Sequence, residues 1–317
     1  MPELPEVEHV RRGLEPWAVG SRIESLRVLD PRILGTTSQR IVEPTAVDRL
    51  TASVPGGLVE GACRRGKFMW LPLATGSVFP DSAPEVPAGW AVALHLGMSG
   101  QVRIHTAADA VHRHTRAVFD MRSADGTPWQ MRFVDQRIFG HIGLEPLVTG
   151  LGSPRLVAAS AARIAPDPFE DGFDAEGLAR TLKGRRTAIK AALLDQGVVS
   201  GIGNIYADEA LFAAGVHPAA RTDRLRISRI ENTLHAARAV MARAIEAGGT
   251  SFDELYVNVN GESGYFDRSL GVYGKAGTPC TRCGETVRSS TIAGRTSHWC
   301  PSCQKPQRRR WGSAVQH

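Results

Sequence analysis

Four cysteines near the C-terminus constrain this chain more than any other feature. Cys280-x2-Cys283, a sixteen-residue spacer and Cys300-x2-Cys303 have the spacing of a four-thiolate zinc ribbon. Each Cys-x-x-Cys turn sets two sulfurs on one side of an ion, and two such knuckles complete a tetrahedron. So short a segment holds little apolar core, so the metal must supply its folding energy. One structural Zn2+ is expected, with iron as the alternative occupant of four thiolates. Cys63, the fifth cysteine, has no partner and reads as a small buried hydrophobe.

A ribbon of this kind occurs in nucleic-acid enzymes and in purely structural inserts. The residues between its knuckles favour the first. Arg288, Arg295 and His298 give the connecting hairpin a basic face, with Glu285 near its start. That suits phosphate contact, although a solvated hairpin would look similar. The whole chain agrees in sign: 38 Lys+Arg against 32 Asp+Glu give a net charge of +6, suited to a polyanion without requiring one.

The 317 residues are enough for two or three domains. The first 150 read as mostly β, with short apolar runs such as Phe68-Met69-Trp70-Leu71 and Trp90-Ala91-Val92-Ala93-Leu94 separated by turn residues. One amphipathic helix opens the chain, with Val7, Val10 and Leu14 at helical spacing before Pro16 and Gly20. Residues 77–90 hold three prolines and read as an inserted loop. The stretch 150–173, with Pro154, Pro166 and Pro168, is linker-like. Ile227, Ile230, Leu234, Ala237, Met241 and Ile245 then form an apolar stripe that stops at Gly248-Gly249. A glycine-rich loop, Asn258 to Gly264, follows, and the tail from Gln304 is basic and expected to be disordered. The expected division is 1–150, 151–275, 276–304 and a tail 305–317. No internal repeat is present. No apolar run approaches the roughly 18 residues of a membrane span, and the acidic, proline-broken start is the reverse of a secretory leader. The chain therefore reads as cytosolic.

The start Met1-Pro2-Glu3 carries a chemical possibility. Removal of Met1 would expose a proline imino nitrogen, neutral in appreciable fraction near physiological pH. Its attack on an aldehyde-like carbon gives an iminium, an electron sink that acidifies the neighbouring C–H and permits elimination. Glu3 would sit beside the reacting centre for proton transfer, and Glu6 could orient it. Alone, a Met-Pro start is commonplace and inert.

The longer strings change that reading. Pro2-Glu-Leu-Pro-Glu-Val-Glu8, followed by Arg11-Arg12-Gly13-Leu14, resembles the start of bacterial formamidopyrimidine-DNA glycosylases. The resemblance continues in family order. It runs through Arg64-Arg65-Gly66-Lys67-Phe68, His95-Leu96-Gly97-Met98-Ser99-Gly100, Asp135-Gln136-Arg137-Ile138-Phe139-Gly140 and Thr187-Ala188-Ile189-Lys190. Gly201-Ile202-Gly203-Asn204-Ile205-Tyr206-Ala207-Asp208-Glu209 and the cysteine ribbon complete it.

The resemblance implies an α+β multidomain protein. Its parts are an N-terminal β-sandwich with flanking helices, a helical helix–two-turn–helix domain and a C-terminal zinc ribbon, with damaged double-stranded DNA bound across the cleft. It implies a bifunctional glycosylase and abasic-site lyase of base excision repair that excises oxidised purines, 8-oxoguanine and formamidopyrimidines. Pro2 would be the Schiff-base nucleophile, Glu3 the general acid and Lys67 the proton donor in the first elimination. Arg295 would serve the second elimination and hold the lesion-flanking phosphate. Met98, Arg137 and Phe139 match residues that fill the gap left by the extruded nucleotide. His112, Arg185 and Asn204 match backbone-contacting positions, and residues 248–265 match a lid over the flipped base. Monomeric action in a bacterial cytoplasm, at the nucleoid, is also implied.

The residues fit these roles on physical grounds. Chemistry at a sugar inside a duplex requires unstacking, which costs a few kcal/mol. Met98 and Phe139 are apolar wedges, and Arg137 offers a planar donor fork to an orphaned base. Asn204 lies in a glycine-flanked turn where backbone N–H groups can approach phosphate. The run Arg64-Arg65 beside Lys67 is expected to attract phosphate and lower the lysine's pKa.

Two positions and two segments depart from the family pattern. Ile138 replaces a frequent second arginine, and Trp299 replaces tyrosine or phenylalanine. The segment 77–90 is long, and the basic tail is extra. Two rival readings remain. One is an enzyme similar to endonuclease VIII, which prefers oxidised pyrimidines. Leu4, where that branch carries glycine, and Met98-Ser99-Gly100 argue against it. The other is a DNA-binding protein without catalysis, in which Pro2, Glu3 or Lys67 should have been lost.

Overall fold

A computed structural model describes residues 2–35, 42–74, 89–249 and 269–306. Most of the expected loop at 77–90, the loop 258–264 with most of the expected lid, and the tail beyond residue 306 lie outside the described residues. The chain divides into two compact units. The first holds Met1–Phe173, Val199–Gly201 and Met241–Ser269, and the second holds Asp174–Val198, Ile202–Val240 and Leu270–His317.

The first unit opens with α1 (Leu4–Ala18), followed by β1 (Arg22–Val28) and α2 (Ala46–Ser53). Among the described residues, eight strands come next: β2 (Cys63–Arg65), β3 (Phe68–Leu73), β4 (Trp90–His95), β5 (Gly100–His105), β6 (Thr115–Arg122), β7 (Pro128–Asp135), β8 (His141–Thr149) and β9 (Leu156–Ala158). With β1 they form two antiparallel sheets, ordered β1-β6-β7-β5 and β2-β3-β4-β8-β9. Alternate residues of each sheet point inward. Leu26, Phe119, Met131 and Phe133 from one and Met69, Leu71, Val92, Leu94 and Ile142 from the other share a core with Val7, Val10 and Leu14 of α1. This is a sandwich of stacked sheets.

Two sequence expectations shift. The first helix passes Pro16 and ends at Ala18. The boundary expected at residue 150 falls inside the first unit, which runs to Phe173. The linker-like stretch holds β9, paired with the end of β8. Buried Arg65 donates to the Leu151 and Ile164 carbonyls and to Glu170, tying that stretch to the sheet. Proline content reported irregular backbone there, but irregular backbone can still be fastened by side chains.

The second unit contains α3 (Ala175–Lys183), α4 (Ile189–Leu194), α5 (Asn204–Ala213) and most of α6 (Ile227–Glu246). Asp174 caps α3 by accepting the Gly177 N–H at 2.9 Å. Ile230, Leu234, Ala237 and Met241 of α6 are fully buried, whereas Ile227 is 39 % exposed. Gly248 and Gly249, both left-handed, end that helix by donating to the Ile245 and Ala244 carbonyls. The hairpin β10 (Arg288–Ile292) and β11 (Arg295–Trp299) folds with these helices. Its two-residue turn, Ala293-Gly294, has positive φ at both positions, the I′ geometry that matches strand twist.

Candidate active site

In the first unit, Pro2 and Glu3 are buried at the head of α1. Glu6 accepts the Glu3 backbone N–H at 2.8 Å, which satisfies a donor the helix start leaves open. The Leu4 N–H donates to the Gly201 carbonyl at 3.1 Å. Gly201 has φ +86°, and a Cβ there would lie 2.5 Å from the Leu4 side chain. Only glycine permits that approach.

Gly66-Lys67 is the two-residue turn between β2 and β3, closed by the Arg65–Phe68 pair. Gly66 takes φ +55° while Lys67 does not take a positive φ, which is the pattern of a II′ turn. A Cβ on Gly66 would meet Ser200 at 2.9 Å. Ser200 and Gly201 thus touch the lysine turn on one side and the head of α1 on the other. Leu4, next to Glu3, and Gly66, next to Lys67, are distant in sequence, and both meet this dipeptide.

The run Arg64-Arg65 is not an open basic patch. Arg64 pairs with Glu8 at 3.0 Å and Asp167 at 2.7 Å, and Arg65 pairs with Glu170 at 2.7 Å. Both guanidiniums are buried, and a buried charge requires a partner. The Gly66 N–H also donates to Asp167 at 2.9 Å. Burial raises the Glu8 carboxyl, but hydrogen bonds from Arg11, the charge of Arg64 and a bond from Arg12 outweigh it and hold the group at about 2. These pairs fix the lysine turn rather than attract phosphate. Cys63, next to them, is half-buried, and burial pushes its thiol up.

Met98, Arg137 and Phe139 come together. Met98 is 37 % exposed, and Arg137 donates to its carbonyl at 3.4 Å. The Arg137 guanidinium lies 5.2 Å from the centre of the Phe139 ring. Gly97, at φ +60°, brings the two loops into backbone contact, since a Cβ there would sit 2.2 Å from the Phe139 oxygen. Asp135, fully buried, accepts the N–H groups of Arg137, Ile138, Phe139 and Gly140 at 3.1, 3.0, 2.9 and 2.7 Å, and the Ser99 hydroxyl. Sequence reading gave Asp135 no role. Its signal was an aspartate just ahead of a turn whose amides need an acceptor. Ile138 holds φ +55° and packs against the core, a strained state for a β-branched residue. His112 is exposed in the neighbouring loop, where its Nδ1 accepts the His114 N–H at 3.2 Å. The Asp135 N–H in turn donates to the His114 carbonyl.

In the second unit, Asn204 opens α5 and donates through Nδ2 to the Thr296 carbonyl at 2.9 Å. Its Oδ1 is buried with no partner among the described residues. Arg185 lies exposed after α3, 4.0 Å from Asp195. Arg295 and Arg288 are exposed on the hairpin. His298 is turned inward instead, because Asp208 accepts its backbone N–H at 2.8 Å and lies 3.2 Å from its ring. Asp208 and Lys190, both fully buried, pair at 2.7 Å, and Lys190 also donates to the Thr296 carbonyl. Trp299 packs edge-on against His217, with ring centres 5.1 Å apart.

The ligand atoms of Cys280, Cys283, Cys300 and Cys303 all lie within 4.8 Å of one another, with Cys283 Sγ 3.4 Å from Cys300 and 3.5 Å from Cys303. A tetrahedral zinc about 2.3 Å from each thiolate sets sulfurs about 3.8 Å apart. Both the donor type and the spacing fit one structural zinc. The apolar cluster beside it is small: Phe212, Val272, Val287, Cys280 and Cys300, with Cys303 packed against them.

Among the described residues, no helix is long and apolar enough to cross a membrane. Three family models match in succession. They are the formamidopyrimidine-DNA glycosylase N-terminal domain over residues 1–142, the H2TH domain of the same family over 164–254, and a zinc finger found in FPG and IleRS over 277–306. A formamidopyrimidine-DNA glycosylase of Corynebacterium aurimucosum is 48 % identical over 96 % of each chain. One of Rhodococcus opacus is 47 % identical over 98 % of this chain and 99 % of the relative. A Lactococcus lactis Fpg solved in complex with abasic-site DNA matches with TM-score 0.76 at 29 % identity, over 96 % of this chain and 99 % of that one. A mutant of it solved with Fapy-dG-containing DNA gives the same score and identity, over 96 % and 100 %. With the sandwich, the thiolate ribbon and near-complete alignment all in agreement, this chain belongs to the formamidopyrimidine-DNA glycosylase family.

Proposed function

We propose that the protein, acting as a monomer in a bacterial cytoplasm, excises oxidised purines from duplex DNA and then cleaves the strand. The segments that carry Pro2-Glu3 and Lys67 meet at Ser200-Gly201 through Leu4 and Gly66, and that meeting carries this reading. With Met1 removed, the Pro2 nitrogen attacks C1′ of the damaged nucleotide, and the base leaves as the C1′–N bond breaks. Glu3 supplies the proton for sugar-ring opening, leaving an iminium on Pro2. Loss of a C2′ proton then expels the 3′ phosphate, with Lys67 as proton donor. A second elimination, served by Arg295, expels the 5′ phosphate. Hydrolysis of the last iminium frees Pro2.

Met98, Arg137 and Phe139 fill the gap left by the extruded nucleotide, and their mutual contacts support that role. His112, Arg185 and Asn204 contact phosphates. Asn204 opens a helix whose N-terminus favours an anion.

Incubating the Met1-processed protein with an 8-oxoguanine:cytosine duplex and borohydride should trap a covalent adduct on Pro2. Pro2→Gly should lose it. A stronger adduct with thymine glycol would transfer the protein to the oxidised-pyrimidine reading. Binding without turnover on either lesion would leave a non-catalytic DNA-binding protein.

A further inference from the structure

His95 and His141 occupy the roots of the two loops that carry the gap-filling residues. They are directly paired across β4 and β8, at the end of the ladder. The chain leaves β4 at His95 into Leu96-Gly97-Met98, and it enters β8 at His141 from Phe139-Gly140. The two imidazoles stack with ring centres 5.0 Å apart and planes 16° from parallel. On its other side His95 meets Phe68, next to Lys67, at 4.7 Å.

The stack reaches the loops through hydrogen bonding. His95 Nδ1 accepts the Gly97 N–H at 3.2 Å, which requires a ring unprotonated at Nδ1. Burial, then the charges of His141 and Lys67, push His95 down to about 3. Burial also lowers His141, opposed by Glu145. The acceptor is therefore kept at neutral pH. His141 Nδ1 is buried with no partner among the described residues. What His141 presents to His95 is its flat face.

We propose that His141 is a positioning residue for lesion extrusion: stacked on His95, it locks together the roots of the loops bearing Met98 and Phe139. The inference rests on the gap-filling role given above to those two residues. Loosening the stack frees the Gly97 turn, and Gly97 touches the Phe139 backbone, so both loops should loosen together. A step that needs the wedge inserted should suffer more than one acting on a site that already lacks its base.

The test compares wild type, His141→Ala and His141→Phe by amide hydrogen exchange and by single-turnover cleavage. The substrates are an 8-oxoguanine:cytosine duplex and the same duplex with a preformed abasic site. In His141→Ala, exchange in 96–99 and 136–140 should rise about tenfold in both loops. Excision should fall about tenfold, and abasic-site cleavage less than about threefold. His141→Phe, which keeps a flat ring, should restore both. Unchanged exchange in either loop, equal losses on the two substrates, or a phenylalanine variant no better than alanine would overturn the proposal. Should His141→Ala not fold, His141→Phe decides alone, by showing wild-type protection and a wild-type ratio between the substrates. A wild type inert on both duplexes would remove the functional reading, while the exchange data would still judge the stack.

Discussion

At the residue scale, carboxylates do most of the organising. Asp135 gathers four backbone N–H groups, Asp208 anchors the finger, and Glu8 holds Arg11, Arg12 and Arg64. Glu8 makes a prediction with a definite sign. Its folded pKa, about 2, lies below the ordinary 4.5. The stability it contributes is therefore fully present above about pH 4.5 and is lost as pH falls toward 2. Relative to Glu8→Gln, wild type should lose roughly 2–3 kcal/mol between pH 5 and pH 2, the shift discounted for partial screening. Urea unfolding of both proteins across that range measures it, and a constant difference between them would contradict it. These carboxylates were the least legible part of the site. The motifs around Lys67 and Phe139 were readable as strings, but a single aspartate does not reveal that it will accept four amides. Nor does Arg64-Arg65 show on its face that both charges turn inward.

At the element scale, the helical unit and the finger hairpin are joined by a buried polar network. Lys190 of α4 and Asp208 of α5 pair in full burial, and together they hold Thr296, Ser297 and His298 of β11. Removing one member strands a charge, which costs about 3–5 kcal/mol. Lys190→Met should therefore lower unfolding free energy by about that amount. Its zinc content should stay at one per chain, because the thiolates do not depend on Lys190. Denaturation and metal analysis of the same sample check both halves, and loss of zinc in the folded variant would show that the network builds the metal site as well. The hairpin itself was legible from cysteine spacing, and α6 from its apolar stripe. The docking was hidden, since Lys190 and Asp208 stand eighteen residues apart and neither looks apolar. β9 was hidden for a different reason: three residues that only complete an edge leave almost no periodic signal.

At the scale of the whole molecule, the +6 net charge suits a polyanionic partner without requiring one and without locating the surface that would meet it. Arg65 and Arg132 are buried and bonded to internal acceptors, so they contribute little to an outward field. Arg185, Arg288 and Arg295 are exposed. Two of these belong to the hairpin, whose strands are exposed at most positions and whose apolar cluster is confined to a few residues around the cysteines. That hairpin should lose its shape without metal, since its apolar cluster is small, whereas the sandwich has an extensive core of its own. Zinc removal should thus separate the two. The thermal transition of the sandwich should persist in zinc-free protein, while affinity for an abasic-analogue duplex falls and its salt dependence becomes shallower. Each phosphate that the protein no longer neutralises should reduce the slope of log affinity against log salt by about 0.9. Removing both hairpin arginines from the DNA predicts a change of about 1–2, and Arg295→Ala alone, with zinc retained, a change of about 1. Fluorescence anisotropy at several salt concentrations, with zinc verified absent or present, measures these slopes. If chelated protein kept both its affinity and its slope, the finger would be a structural appendage and the charge that meets DNA would have to be sought elsewhere on the chain.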